Sequence, residues 1–448
     1  MALLVADVSA TQASSPDFDG DGKVGFPDFL LFLGAFGSSD PSFDLSDNGT
    51  VDFQDFLLFV AAYGTIAEGS ASDTSATDCG NDVGNGLEII SGPSGPEGDD
   101  RDNPFRALTI HPNDPNTLLV GTERNGFVKS TDGGQTWERF RSGLRHHSGL
   151  YPEVWNVSFA PSDPRIVYAA TLDSPGPVTG DYPSSVGGIY KSQDGGENWT
   201  RLNCGLYNSR ATAVAVDPQS SEIVLVGIEG GAASFSDLKG QYFDGGIYKT
   251  QNGGESWEAV TLPENSKTNG YWRILSRGGV FFTFGLRFEN LSDNLGFLAS
   301  QDSGTTWSSL TDSLRTQMIT GFDVSSDGQT LYANPRDSFR MHISTDGGIS
   351  WKASSINQAN GPVAVSPIGS QLVIYAGQNT IYRSTDGLVT QSVVLEAEQQ
   401  ITDIQFSLSD PTTVYAIAMG YLLYKSTDAG LTFELITNIR TEVLNEQP

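Results

Sequence analysis

An eight-residue phrase, Ser-Thr-Asp-Gly-Gly-Gln-Thr-Trp at Ser130–Trp137, returns six more times in variant form along this 448-residue chain. The further copies begin at Ser192, Thr250, Ser300, Ser344, Ser384 and Ser426. A short unit repeated through a chain sets its whole architecture, because each copy must build the same local structure. The closest copies, Ser344 and Ser384, lie about 40 residues apart, which is what one four-stranded propeller blade needs. Wider spacings towards the start of the chain imply blades with inserted loops.

Each repeat follows one grammar. An alternating apolar run comes first, as in Trp155-Asn-Val-Ser-Phe-Ala. A turn follows (Pro161-Ser-Asp-Pro164), then a second run (Arg165-Ile-Val-Tyr-Ala-Ala-Thr171) and a third (Gly188-Ile-Tyr-Lys191) that leads into the octapeptide. Period-two alternation and β-branched residues mark strands. The pattern predicts seven blades near 105–140, 154–202, 211–260, 271–310, 318–354, 361–394 and 401–436, a mainly all-β, seven-bladed propeller.

The octapeptide suits the hairpin between a blade's third and fourth strands. Its Asp accepts turn amides, Gly supplies a positive φ, Ser and Thr bond the turn ends, and Trp packs between blades. This spacing resembles the Asp-box, or BNR repeat, of sialidases, sortilin-type receptors, xyloglucan-active glycosidases and photosystem assembly factors of the Ycf48 type. In those families the box is structural and lies away from the ligand face, which the resemblance therefore implies for Asp132 and Asp346. The sixth copy departs, with Leu388 in place of Gly and Gln391 in place of Trp. A less tightly locked blade is expected there.

Residues 16–64 hold two similar halves of another kind. Asp17-Phe-Asp19-Gly-Asp21-Gly22-Lys23, continuing to Asp28, puts oxygen ligands at loop positions 1, 3, 5 and 12, with the Lys23 carbonyl at 7. This is EF-hand calcium-loop spacing with Asp at the last position. The second loop offers Asp44, Ser46, Asn48, the Thr50 carbonyl and Asp55. Its two neutral ligands predict weaker binding. Short exiting helices are expected over Phe29–Phe36 and Phe56–Tyr63. Two such loops, each followed by a helix, look like a type I dockerin, a resemblance that implies one or two bound Ca2+ ions and attachment to a protein partner. Dockerins usually read cohesin with small hydroxyl residues at loop positions 10 and 11, where this chain has Phe26-Pro27 and Phe53-Gln54. Phe and Leu exceed what so small a core can hide, so part of them forms a docking surface, on this chain or on a partner.

The domain reading follows: residues 1–15 an N-terminal tail or signal remnant, 16–64 the paired calcium module, 65–85 a small, polar, flexible linker, 86–440 the propeller and 441–448 a C-terminal tail. Lys and Arg number 25 against 54 Asp and Glu, a net charge of -29. Such a surface repels nucleic acid and anionic lipid and suits cations and neutral ligands such as glycans. No apolar run reaches the roughly 18 residues a membrane span requires. Cys79 and Cys204, the two cysteines, leave room for one long-range disulfide and exclude a disulfide scaffold.

Long insertions at Arg141–Glu153, Leu172–Val186, Glu229–Asp244 and Pro263–Gly270 all fall on the face away from the octapeptides, in the first blades. They define one elaborated rim. Its candidate ligand-binding residues are Arg145, His146, Tyr151, Glu153, Asp173, Asp181, Tyr182, Tyr242, Asp244, Trp272 and Arg273, with Tyr271 and His147 beside them. Arg106 and Trp155 stand at the tops of inner strands, in reach of the central funnel. Aromatic planes among Arg and carboxylates form a natural sugar platform. The favoured function is an extracellular or cell-surface calcium-binding protein that holds a glycan or protein, tethered by its N-terminal module. The alternatives are a xyloglucanase-like glycoside hydrolase, which needs two carboxylates facing one bond, and a subunit of a self-assembling polymer. A sialidase would need an arginine triad, which the scattered arginines do not assign. Xyloglucan-active relatives place their cleft between two propellers, and this chain has one.

Overall fold

The computed structural model describes residues 16, 18, 26–46, 48–62, 107–146, 151–172, 186–206, 210–232, 242–243, 245–263, 270–286, 296–310, 314, 317, 319–335, 340–357 and 360–444. The chain divides into two compact units, Met1–Ala76 and Thr77–Pro448.

The first unit has two short helices, α1 (Phe26–Ala35) and α2 (Phe53–Ala62). Both start earlier than the sequence reading placed them. The last loop positions are already helical, and a proline such as Pro27 is accommodated in a first turn, where its missing N–H leaves no helical bond unmade. Phe32 and Phe59 are buried and stack at 5.5 Å, with Phe18 against them at 6.1 and 5.9 Å. Backbone bonds Gly37 N to Val51 O and Val51 N to Ser38 O, both 2.8 Å, tie the halves together. The remaining helix faces are apolar and exposed, as the excess of Phe and Leu predicted.

The second unit contains seven four-stranded antiparallel sheets, each contiguous in sequence. Their innermost strands are Leu108–Ile110, Glu153–Phe159, Ala211–Asp217, Gly270–Arg277, Ile319–Val324, Val363–Val365 and Ile401–Phe406. A small extra hairpin, Gly231–Ala232 with Tyr242–Phe243, decorates the third blade. Second strands such as Val167–Leu172 and Val414–Ala418 are buried along their whole length, because both faces pack on neighbouring blades.

The boxes close as local knots. In the first, Asp132 Oδ1 accepts the N–H groups of Gln135 and Thr136, both at 3.0 Å, and the Ser130 hydroxyl at 2.8 Å. Asp132 Oδ2 takes the Thr136 hydroxyl at 2.6 Å, and the Trp137 indole N–H reaches Gly134 O at 3.0 Å. The pattern recurs around Asp194, Asp302, Asp346, Asp386 and Asp428, and in amide form at Asn252. Gly134 has φ +92°, and a Cβ there would sit 2.3 Å from the Leu423 side chain of the last blade, so glycine is required twice over.

The sixth box is not loosened, contrary to the expectation. Leu388 N donates to Ser384 Oγ at 2.9 Å, and Asp386 holds Val389 N and Thr390 N at 3.1 and 2.9 Å. Leu388 itself adopts φ 67°. The strain is offset because its side chain is buried with Tyr332, Met341 and Val363. Gln391, in the tryptophan's place, instead accepts the Tyr375 hydroxyl.

One regularity escaped the sequence reading. The residue before the box is basic in five blades, and each reaches the next blade. Lys129 Nζ meets Glu197 at 3.0 Å, Lys191 meets Gly253 O at 3.0 Å and Lys249 meets Thr305 Oγ1 at 2.7 Å. Arg383 Nε meets Ala429 O at 3.0 Å, and Lys425, in the last blade, meets Asn116 of the first at 3.2 Å.

The box carboxylates make stability sensitive to acid. Asp132, Asp194, Asp302, Asp346, Asp386 and Asp428 are each held at about 2, against a usual 3.8. At Asp346, Asp386 and Asp428 the leading cause is the hydroxyl of Ser350, Thr390 or Thr432; at Asp302 it is the Thr306 N–H. At Asp132 and Asp194 burial pushes upward and is outweighed by the bonds from Thr136 and Asn198. A folded-state value below the unfolded one gives stability that is full above about pH 4 and lost as pH falls through about 2. Thermal melts of the full chain should therefore hold steady down to about pH 4 and then fall steeply, and Asp302→Asn should lessen that slope. A melting temperature already dropping between pH 7 and 5 would place the controlling groups elsewhere.

Candidate functional site

The turns after the first strands and the boxes share one end of the propeller; the blade linkers and the loops between second and third strands share the other. Inner strands of five blades carry a β-bulge near the second end, at Trp155, Thr212, Trp272–Arg273, Thr320 and Thr402. A bulge re-aims one side chain out of the sheet alternation. The threonines turn back to backbone: Thr320 Oγ1 bonds Asn334 O at 2.9 Å and Thr402 Oγ1 bonds Ile417 O at 3.1 Å. Blades two and four place tryptophan there instead. The rings of Trp155 and Trp272 meet edge to face, 5.8 Å apart at 68°, across the smaller Thr212 of blade three.

Charged groups collect around this pair. Trp155 Nε1 donates to Glu153 Oε1 at 2.7 Å. Arg210 Nε donates to Glu229 Oε2 at 2.9 Å. Burial pushes the Glu153 carboxyl up; the Trp155 N–H, Arg124 and Arg210 oppose it, and Glu229 adds to it. The loop end of blades one to four thus holds two indoles within a cluster of alternating charge. Beside it, the Arg141 guanidinium lies 4.7 Å over the Tyr151 ring, whose other neighbour is His146 at 5.2 Å.

Of the residues singled out in the sequence, Glu153, Trp155 and Trp272 come together, and His146 and Tyr151 form the adjoining stack; Arg145 shares the His146 loop. Two are placed differently. Tyr271 is fully buried, its hydroxyl pushed up by burial, because strand alternation turns it inward while the bulge turns Trp272 out. Arg273, the second residue of the bulge, lines the opposite end of the channel, with its guanidinium 6.0 Å from the Phe322 ring. Arg106, His147, Asp173, Asp181, Tyr182 and Asp244 lie outside the described residues, as does the side chain of Tyr242. Arg124, Arg210 and Glu229 were missed. Arg124 and Arg210 sit outside the long insertions and Glu229 only opens one of them, and the charge flanking Ala211 and Ile228 was the available signal.

A cavity of about 440 Å³ occupies the box end of the channel. Its polar lining is stitched into the fold: Asn156 Oδ1 accepts Val214 N at 2.9 Å, Asp323 Oδ2 accepts Val365 N at 2.8 Å and Gln405 Nε2 donates to Leu108 O at 2.5 Å. These side chains satisfy the open edges of neighbouring inner strands.

In the first unit, the second loop curls its side chains onto itself. Asp44 accepts the N–H groups of Asn48 and Gly49 at 3.1 and 2.7 Å and the Ser46 hydroxyl at 3.4 Å. Asp55, fully buried, accepts Ser46 N and Asp52 N at 2.7 Å each. Asp28 is equally buried and accepts Phe18 N at 2.7 Å. Asp17, Asp19, Asp21 and Lys23 fall outside the described residues. Among the described residues no group of three or more His, Cys, Asp or Glu is placed to hold a metal; the second loop would add Ser46 and Asn48. Cys204 is disulfide-bonded, and Cys79 is the other cysteine of the chain.

The BNR/Asp-box repeat family matches residues 128–139 and 342–353, the first and fifth boxes. The chain is a seven-bladed Asp-box propeller. Similar solved structures include YCF48 from Cyanidioschyzon merolae, at 18% identity and TM-score 0.52, over 72% of this chain and 95% of that one. YCF48 bound to D1 peptide aligns at 15% identity and TM-score 0.51, over 72% and 93%. An ancestral GH74 enzyme aligns at 14% identity and TM-score 0.53, over 75% of this chain and 47% of the enzyme, so the Asp-box propeller spans about half that enzyme's length. No curated protein matches the chain. At these identities the likeness shows the fold, and function must be argued from the site.

Proposed function

We propose that this chain is a calcium-binding, extracellular binding protein whose propeller captures an extended protein segment at its loop end. The observation that supports this is the Trp155–Trp272 pair set among Arg124, Arg210, Glu153 and Glu229. Half-buried indoles and charges of both signs suit a peptide's mixed surface. Both carboxylates are already tied, Glu153 to Trp155 and Glu229 to Arg210, which favours holding a ligand over proton transfer. YCF48, a structural neighbour, has been solved with a D1 peptide. The second loop would hold Ca2+ through Asp44, Ser46, Asn48, the Thr50 carbonyl and Asp55, which together match a calcium ion's preference for oxygen. The disulfide at Cys204 fits an oxidising compartment.

A second reading, glycoside hydrolysis, is favoured by one feature. Glu153 has a raised carboxyl with Glu229 close enough to repel it, the environment of a catalytic acid beside a second carboxylate. One set of measurements separates the two. On peptide and polysaccharide panels, a peptide should bind without turnover, and Trp155→Ala with Trp272→Ala should weaken it at least about tenfold while leaving the fold intact. Release of reducing ends, abolished by Glu153→Gln, would overturn the binding reading in favour of the hydrolase. For the metal, calorimetry of the full chain should show calcium uptake that falls when Asp44 and Asp55 are both replaced by alanine.

A further inference from the structure

The box end of the propeller carries an apolar arc that the fold does not require. Every large aliphatic side chain of the propeller that stands more than half exposed belongs to blades five to seven, among the described residues. Ile349, Val389 and Leu431, at 66%, 70% and 57% exposure, occupy the same box position in three successive blades. Ile368 and Leu408, at 78% and 54%, sit in the first-to-second-strand turns of blades six and seven, at the same end. Blades one to four supply the control. Their residues at that box position are Gln135, Glu197, Glu255 and Thr305, so the knot closes equally well with a polar tip.

We propose that this arc is a homodimer interface, packing against the same arc of a second copy about a twofold axis. The five side chains expose roughly 500 Å² of aliphatic surface, which a polar rim would complete towards the ~800 Å² per partner of a standard interface. A chain of net charge -29 repels its own copies over most of its surface. At the box position the arc is uncharged, where blades two and three carry Glu197 and Glu255. Asp346, Asp386 and Asp428, between the apolar tips, have both oxygens engaged by their own turns. The rim adds Arg383 and Lys425 as well as Asp327 and Asp410, so a twofold axis can set basic against acidic groups. An isologous contact of this kind closes at two copies.

Sedimentation of the full chain tests this. A monomer–dimer equilibrium is expected, with no larger species. Val389→Lys with Leu431→Lys should weaken it at least tenfold, while Gln135→Lys with Glu255→Lys, at the same box position in other blades, should leave it unchanged. Unaltered melting of both pairs guards against unfolding as the cause. A chain that stays monomeric up to about 1 mM overturns the proposal. So does association that continues beyond the dimer, or that survives the arc pair but is lost with Leu31→Lys and Leu58→Lys on the helices of the first unit.

Discussion

Trp199→Ala lowers the unfolding free energy of the propeller by about 3–5 kcal/mol, the range for deleting a buried aromatic and leaving its cavity. Trp199 belongs to the box of the second blade but stacks on Phe127 of the first, with ring centroids 4.0 Å apart and planes within 17°. It is 3% exposed, and its indole N–H donates to Gly196 O at 3.1 Å. The substitution therefore empties the seam between two blades and leaves a backbone carbonyl short of a donor. Trp199→Phe keeps most of the stacking and loses the N–H, and should cost about 1 kcal/mol. Chemical denaturation of both variants separates the terms. Equal losses would mean that the hydrogen bond, and not the packing, holds the seam.

Removal of residues 439–448 is expected to cost about 3 kcal/mol and to open the ring between its last and first blades. Among the described residues no strand from the start of the chain completes the last sheet, since each sheet is contiguous. Closure falls to side chains. Tyr415 donates to Pro115 O at 3.0 Å, Tyr421 accepts Glu123 N at 3.0 Å, and Arg139 donates to Val443 O. Ile439 and Val443, from the last short helical turn, are buried with Leu108, Leu118, Val128 and Leu423. Deleting them takes two aliphatic side chains out of the one cluster that joins the ring's ends. Denaturation midpoints measure the loss, and limited proteolysis should find the first new cuts in blades one and seven. Cleavage appearing first in blades three to five would show that closure is carried by other contacts.

The seven blades and the two short helices were legible in the sequence because each is a local device. The bonds that each box Asp accepts close within eight residues, so its residue types and spacing are fixed together; even the box with Leu388 keeps them. The site was legible only in part. Glu153, Trp155 and Trp272 were found as aromatic and acidic residues near long insertions, whereas Tyr271 and Arg273 were misplaced. Their directions depend on a bulge that shifts register between Tyr271 and Ile274, and a one-residue shift exchanges the faces of a strand.

What the sequence alone determined is the repeat: number of blades, place of each box, and the end of the molecule that bears the long loops. What only the tertiary structure decided is which side chains meet. Trp155 meets Trp272, Arg210 answers Glu229 beside Glu153, Lys425 reaches Asn116, and three aliphatic tips line up at one end. The physical reason is that these encounters join residues on different strands and blades. They follow from the ring's curvature and the bulges in its inner strands, neither of which leaves a periodic mark in the chain.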